Sequence, residues 1–216
     1  MSGGFHKFSS GNFAVRNDIL VEMLEGIKFG SIVEVAGAEA DLAERLLKKY
    51  DFIVKYDWSD MVEEAKEYAH NRIEDLRFEA TILDLDTESP PKADLFICTA
   101  LEHTLRYIEI IEELNPGTLV LLSLPSFDSI GHRVYFPQFT DIINSYGKRL
   151  DFIKVQVFIN AQGLRIGFIE FVKIFLKRVG LLDGFRKMGV FKRGCGRESV
   201  NYKWLILAKR NHLCQL

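Results

Sequence analysis

The sequence predicts an α/β fold: a doubly wound, mainly parallel sheet with helices on both faces. Three observations predict it. Short apolar runs alternate with stretches of helical spacing, with brief connections, along most of the chain. The run over 94–100 is almost wholly apolar, as a strand buried on both faces must be. The stretch from Ser31 to Trp58 has an apolar run ending at Glu34 and a small-residue turn, a helical stretch, then a second apolar run ending at Asp57. That is the front half of a βαβ unit, and its two strand ends face one crevice.

The elements follow in order. Residues 1–11 are rich in Gly and Ser and carry no element. Ile19, Met23 and Ile27, flanked by Leu20 and Leu24, have helical spacing over 12–27, and Gly30 ends that segment. The first strand is 32–35. A helix over 39–49 carries Leu42, Leu46 and Leu47 on one face, and the second strand is 52–56. Ser59 reads as an N-cap with acidic residues after it, for a helix running to about 71. The third strand is 78–85, with Ser89-Pro90-Pro91 as the following turn. The fourth strand is 94–100. A helix over 105–114 is closed by Asn115-Pro116-Gly117, and the fifth strand, 118–124, is stopped by Pro125. A helix over 136–146 ends at Gly147, and 150–159 and 202–208 are the last two strands, making seven.

A chain of 216 residues can bury one sizeable core, and 48% apolar with 27% charged residues is ordinary for a globular protein. No unbroken apolar run approaches a membrane span, and the first residues lack the apolar core of a secretory signal. Cys98, Cys195 and Cys214 are too few and too scattered for a disulfide framework. These features describe a cytoplasmic protein of one domain over 1–216. Charge is unevenly spread: residues 161–210 hold twelve Lys or Arg against three Asp or Glu, in a chain of net charge -2. Such a segment either meets an anionic partner or packs on its own acidic body.

Ligands of doubly wound sheets sit beyond the carboxyl ends of the strands. The candidates there are Glu34 with the Ala36-Gly37-Ala38 turn, Asp57, Asp84, and the run from Thr99 to His103. A carboxylate at position 57 can accept both hydroxyls of a ribose. Asp84 can accept from an exocyclic adenine amine. Small residues in the first turn let backbone amides approach a charged ligand. The three acids are expected to share one hollow. After the fifth strand, His132 is a candidate general base, with Tyr135 and Asp128 beside it to orient an acceptor.

At these positions the chain resembles a class I S-adenosylmethionine-dependent methyltransferase of the branch with a Leu-Glu-His signature. Val33-Glu34-Val35 stands where that family has its first strand and terminal acid. Asp57-Trp58-Ser59-Asp60-Met61-Val62-Glu63-Glu64-Ala65-Lys66 follows its second motif, and Asp84-Leu85 fits the third. Ala93 to Thr99 with Ala100-Leu101-Glu102-His103 follows the fourth, and Leu114-Asn115-Pro116-Gly117 fits the turn before the fifth strand. The resemblance implies a Rossmann-like seven-stranded sheet with its last strand antiparallel. It implies S-adenosylmethionine as cofactor, held by Glu34, Ala36, Gly37, Ala38, Asp57, Trp58, Asp84, Leu85 and Thr99. It also implies methyl transfer to an O or N atom, with His132 and Tyr135 at the acceptor side.

One motif departs from the family. Its alternate positions after the acid are Ala36, Ala38 and Ala40, and Gly37 falls between them. If the alanine methyl groups fill the methionine subsite, the chain is a non-catalytic binding module on the same scaffold. If Gly37 bends the turn so that backbone amides still line a cavity, the enzyme reading stands.

Residues 163–196 form an insertion between the last two strands. Phe168, Phe171, Phe175 and Val179 make an apolar helical stripe, and Arg178, Arg186, Lys187, Lys192, Arg193 and Arg197 follow among glycines. The stripe reads as a packed lid or homodimer contact, as a helix on an anionic membrane, or as a lid gripping a small-molecule or phosphate-bearing substrate such as a glycan or lipid-linked one. Nucleic acid ranks lower, since Phe185 and Phe191 are the few aromatic residues there. No metal site is expected: Cys195, His212 and Cys214 match no tetrahedral spacing.

Overall fold

The computed structural model describes residues 12–129, 131–159 and 202–211. The insertion over 163–196, with its lid, dimer and membrane readings, lies outside the described residues, as do Cys195, His212 and Cys214. The described elements are α1 (Asn12–Met23), β1 (Ser31–Val35), α2 (Asp41–Lys49), β2 (Lys55–Asp60), α3 (Glu63–Arg72), β3 (Phe78–Ile82), β4 (Leu95–Cys98), α4 (Glu109–Glu113), β5 (Leu119–Pro125), α5 (Phe139–Tyr146), β6 (Leu150–Ile159) and β7 (Tyr202–Arg210). They form one seven-stranded sheet in the order β3-β2-β1-β4-β5-β7-β6. Strands β3, β2, β1, β4 and β5 are parallel, and β7 runs antiparallel to both β5 and β6.

The central strands explain why the sequence shows continuous apolar runs. Successive side chains of a strand point to opposite faces, and here both faces are covered. Leu95 and Ile97 of β4 join Ile32 and Leu121 in the cluster on the α1, α2 and α3 side. Phe96 and Cys98 join Val33, Val35, Val120 and Leu122 in the cluster on the α4 and α5 side. Each of the Val, Ile, Leu and Phe side chains, fully buried, contributes about 1.5–3 kcal/mol.

Several boundaries differ from the sequence reading. The largest shift is in β2, expected over 52–56 and found over Lys55–Asp60. Phe52 and Val54 are exposed, and Phe52 packs its ring against Phe29 and Tyr50 ahead of the strand. Pairing starts where β1 starts, at Ser31 opposite Lys55, so aromatic Tyr56 and Trp58 alternate inward. Ser59 is therefore a buried strand residue and not an N-cap; α3 begins at Glu63. Strand β3 stops at Ile82, which leaves Asp84 and Leu85 in the loop beyond it. The helix expected over 105–114 is reduced to α4, after a 3-10 turn at Leu101–His103. Asp86 ties the start of that connection, accepting from the Thr104 hydroxyl at 2.5 Å and the Leu105 amide at 3.1 Å. Helix α1 ends four residues before Ile27, with Gly26 at φ 78° after it. Among the described residues no helix is long and apolar enough to cross a membrane.

Candidate functional site

The turn after β1 is strained in a specific way. Ala36, Ala38 and Ala40 all have positive φ, at 53°, 50° and 55°. L-residues with a Cβ adopt this region at a cost of roughly 1–2 kcal/mol each. The turn holds this shape through three amides: Gly37 donates to the Ser59 carbonyl at 3.1 Å, Ala38 to Asp60 Oδ2 at 3.0 Å, and Ala40 to the Gly37 carbonyl at 3.0 Å. Asp60 also accepts the Val62 amide at 3.1 Å through its other oxygen. Burial raises its pKa, and the amide bonds oppose that rise. Gly37 is required for a steric reason: a Cβ there would lie 1.9 Å from Trp58 Nε1.

Above this turn is a cavity of about 350 Å³ at the carboxyl ends of β1, β4 and β5. Glu34, Ala36, Gly37, Ala38 and Glu39 line its β1 side, Thr99 and Ala100 its β4 side, and Phe127 and Ser129 its β5 side. Arg16 and Asn17 of α1 close it from above. A larger groove, about 1160 Å³, lies at the opposite, amino ends of the strands, where Asp94 is already engaged by the amides of Gly30 and Ser31. The carboxyl-end cavity is the one where open α/β sheets bind ligands.

The cavity is lined by buried charge. Glu34 is 2% exposed and accepts from the Tyr56 hydroxyl at 2.7 Å. Burial pushes its pKa up to about 7, against the lowering effects of Tyr56 and Arg16. Burial likewise brings the Arg16 guanidinium down to about 10. Arg16 donates to Asn17 Oδ1, and Asn17 donates to Asp41. Glu39 is 1% exposed, and neither of its carboxylate oxygens has a hydrogen-bond partner among the described residues. On the far wall, Glu102 is 1% exposed and receives Lys203 Nζ at 3.1 Å. His132 Nε2 stands 3.9 Å from the same Glu102 oxygen, and its Nδ1 is 3.1 Å from the Phe127 carbonyl. Because a carbonyl only accepts, Nδ1 is the nitrogen that carries the proton in the neutral ring, whose lone pair is then on Nε2.

The structure brings some of the expected residues together and separates others. Glu34, Ala36, Gly37, Ala38, Thr99 and His132 all line the cavity. Asp57 does not: it sits mid-strand, paired with Lys55 at 2.8 Å, because β2 continues three residues beyond it. Trp58 lies in the core beneath Gly37, fully buried. Asp84 and Leu85 lie in the β3 loop, where Asp84 caps its own turn by accepting the Asp86 amide. Tyr135 is 44% exposed and outside the cavity, and Asp128 is exposed too. The expected hollow shared by Glu34, Asp57 and Asp84 is therefore absent; of the three acids only Glu34 faces the cavity. Sequence reasoning included Glu102 in the run from Thr99 to His103 but missed Glu39, Lys203 and Arg16 as site residues. The alternation Tyr56-Asp57-Trp58-Ser59 was the signal for the longer β2, and no spacing pattern announces a lysine arriving from β7.

No known sequence family matches the chain, and no curated protein matches it by sequence. Solved structures do match. A chain of the complex between the Haloferax volcanii Trm112 methyltransferase activator and the putative methyltransferase is 11% identical, with TM-score 0.62 over 92% of this chain and 90% of that one. The [4+2]-cyclase SpnF is 10% identical, with TM-score 0.61 over 95% and 85%. An O-methyltransferase from a trans-AT PKS multienzyme of Brevibacillus brevis, in complex with S-adenosyl-L-homocysteine, is 12% identical, with TM-score 0.57 over 90% and 72%. Together with the strand order and the antiparallel β7, these likenesses give the chain the Rossmann-like fold of the class I S-adenosylmethionine-dependent methyltransferases.

Proposed function

We propose that the carboxyl-end cavity binds S-adenosylmethionine and that the protein is a methyltransferase acting on an O or N atom. The observation that carries this is the turn at Ala36, Ala38 and Ala40. Three alanines sit in the left-handed region that favours glycine, and Ala36 and Ala38 line a cavity. Strain of about 3 kcal/mol or more in one turn is a sizeable share of a domain's net stability. Strain of this kind concentrates at binding sites. A cavity lined by Ala36, Gly37 and Ala38 supports this reading, although the amides of Gly37, Ala38 and Ala40 bond within the protein.

The residues present fit the cofactor. Glu39 offers a buried carboxylate with no partner among the described residues, suited to an ammonium or a pair of hydroxyls. Ala36, Gly37 and Ala38 leave backbone and little side chain at the wall, and Thr99 and Ala100 do the same opposite. When bound, the sulfonium supplies an electrophilic methyl group. The chain's part is to hold the acceptor in line and to keep water out. His132, with its Nε2 lone pair in the cavity, takes the proton of the acceptor nucleophile. The acceptor in this proposal is a small-molecule or phosphate-bearing compound of the cytoplasm, with the basic segment over 163–196 as the part that meets it or an anionic membrane.

A second reading is favoured by one observation. Asp60, the acid that does end β2, has each oxygen engaged by an amide, Ala38 and Val62, and does not line the cavity. That leaves no acid from the end of β2 for a ribose and suits a non-catalytic binding module. Calorimetric titration with S-adenosylhomocysteine decides between them. Saturable binding in the micromolar range supports the methyltransferase; no heat up to millimolar ligand defeats it and leaves the binding module.

A further inference from the structure

The geometry points to a divalent transition-metal site at the far wall of the cavity, formed by Glu102, His103 and His132. One ligand atom from each residue lies within 4.8 Å of the other two. Both imidazoles are held in the tautomer that a metal ligand needs. His103 Nδ1 is 3.1 Å from the Gly131 carbonyl, and His132 Nδ1 is 3.1 Å from the Phe127 carbonyl. Carbonyls only accept, so each ring carries its proton on Nδ1 and keeps the Nε2 lone pair. A backbone carbonyl behind each ring is also the usual way a ligating histidine is oriented. The two rings meet edge to face, with centroids 5.1 Å apart.

The carboxylate supplies the independent observation. Glu102 is 1% exposed, and its Oε2 has no hydrogen-bond partner among the described residues. A buried carboxylate oxygen without a partner is unfavourable unless something of positive charge faces it. Lys203 answers for Oε1 alone.

Two imidazoles and one carboxylate suit a first-row divalent ion such as Zn²⁺, Co²⁺, Fe²⁺ or Mn²⁺. Three protein ligands leave coordination positions open, and all three residues line the cavity, so a small ligand can reach them. Donors around one such ion are about 3–3.5 Å apart. His103 is exposed and can close the remaining distance by turning its ring. The cluster is separate from the turn at Ala36–Ala40 and does not depend on the methyl-donor reading. Where both operate, the cation occupies the Nε2 lone pair of His132. Bound there, the metal would supply the acidity that frees an oxygen acceptor of its proton, which would pass to solvent.

Co²⁺ titration of the full chain, followed by visible ligand-field absorption and then Zn²⁺ competition, tests the site. The expected result is one saturable Co²⁺ per chain, displaced by Zn²⁺. His103→Ala and His132→Ala weaken it by about 100-fold. His103 is exposed, so its removal leaves the fold intact, which circular dichroism checks. Lys203→Gln keeps a donor to Glu102 but removes a positive charge beside the ion, and tightens Co²⁺ by about tenfold or more. Absence of a saturable ligand-field band overturns the site. So does binding that survives both histidine variants, or a Lys203→Gln variant that binds Co²⁺ more weakly. S-adenosylhomocysteine binding, measured on the same samples, reports separately on the methyl-donor reading.

Discussion

Tyr56 on β2 donates its hydroxyl to the carboxylate of Glu34 on β1, at 2.7 Å, with both residues buried. The bond links the second residue of β2 to Glu34, which lines the cavity. Burial raises the Glu34 pKa from 4.5 to about 7, and the Tyr56 hydroxyl, by stabilising the charged form, opposes that rise.

This gives a pH signature. The folded protein holds the Glu34 proton up to about pH 7, while the unfolded chain releases it near 4.5. The folded state binds more protons at Glu34 in that window, so the contribution of this residue is fully present below pH 4.5 and is lost as pH rises through about 7. Acids held below their ordinary pKa, such as Asp41 and Asp94, contribute in the opposite sense. The loss from this residue is at most about 3 kcal/mol. Urea unfolding across the window should show it, and Glu34→Gln should remove that component. Tyr56→Phe should push Glu34 higher still and move the fall to higher pH. Identical pH profiles for the wild type and Glu34→Gln would contradict this.

The turn at Ala36 to Ala40 should respond to glycine in opposite senses at neighbouring positions. Ala36→Gly and Ala38→Gly relieve positive-φ strain and should stabilise by about 0.5–1 kcal/mol, the gain being offset in part by the freer unfolded chain. Gly37→Ala places a methyl group on the Trp58 indole and should cost about 3 kcal/mol or more. Thermal unfolding of the three variants measures both.

Asp60 fastens that turn to the end of β2 with one oxygen on Ala38 and one on Val62. An amide has a single acceptor oxygen, so Asp60→Asn can keep only one of these bonds. The expected loss is about 1–2 kcal/mol, with faster hydrogen exchange at the amide that is released.

Glu39 separates stability from binding. Its buried carboxylate has no partner among the described residues, so Glu39→Gln should leave stability unchanged or raise it by about 1 kcal/mol. The same change should weaken S-adenosylhomocysteine by about tenfold, the loss of one charge-assisted hydrogen bond. Unaltered affinity would remove Glu39 from the proposed site.

The sequence by itself determined the layered α/β architecture. Apolar runs such as Leu95 to Cys98 can be satisfied only between two layers of helix, and the small-residue turn after Glu34 marked where the first strand must stop. It also placed His132 and Thr99 at the correct end of the sheet. Only the tertiary structure decided which acids face the cavity. Strand register is a pairing property: Ser31 opposite Lys55 carries β2 on to Asp60 and turns Asp57 away to Lys55, and nothing local to residues 52–60 states where β1 begins. The far wall was decided the same way. Lys203 reaches Glu102 from a strand a hundred residues later, and His132 reaches it from the β5 loop, because β7 is threaded antiparallel between β5 and β6. Contacts made by chain crossing, between residues with no shared period, have no signature along the chain.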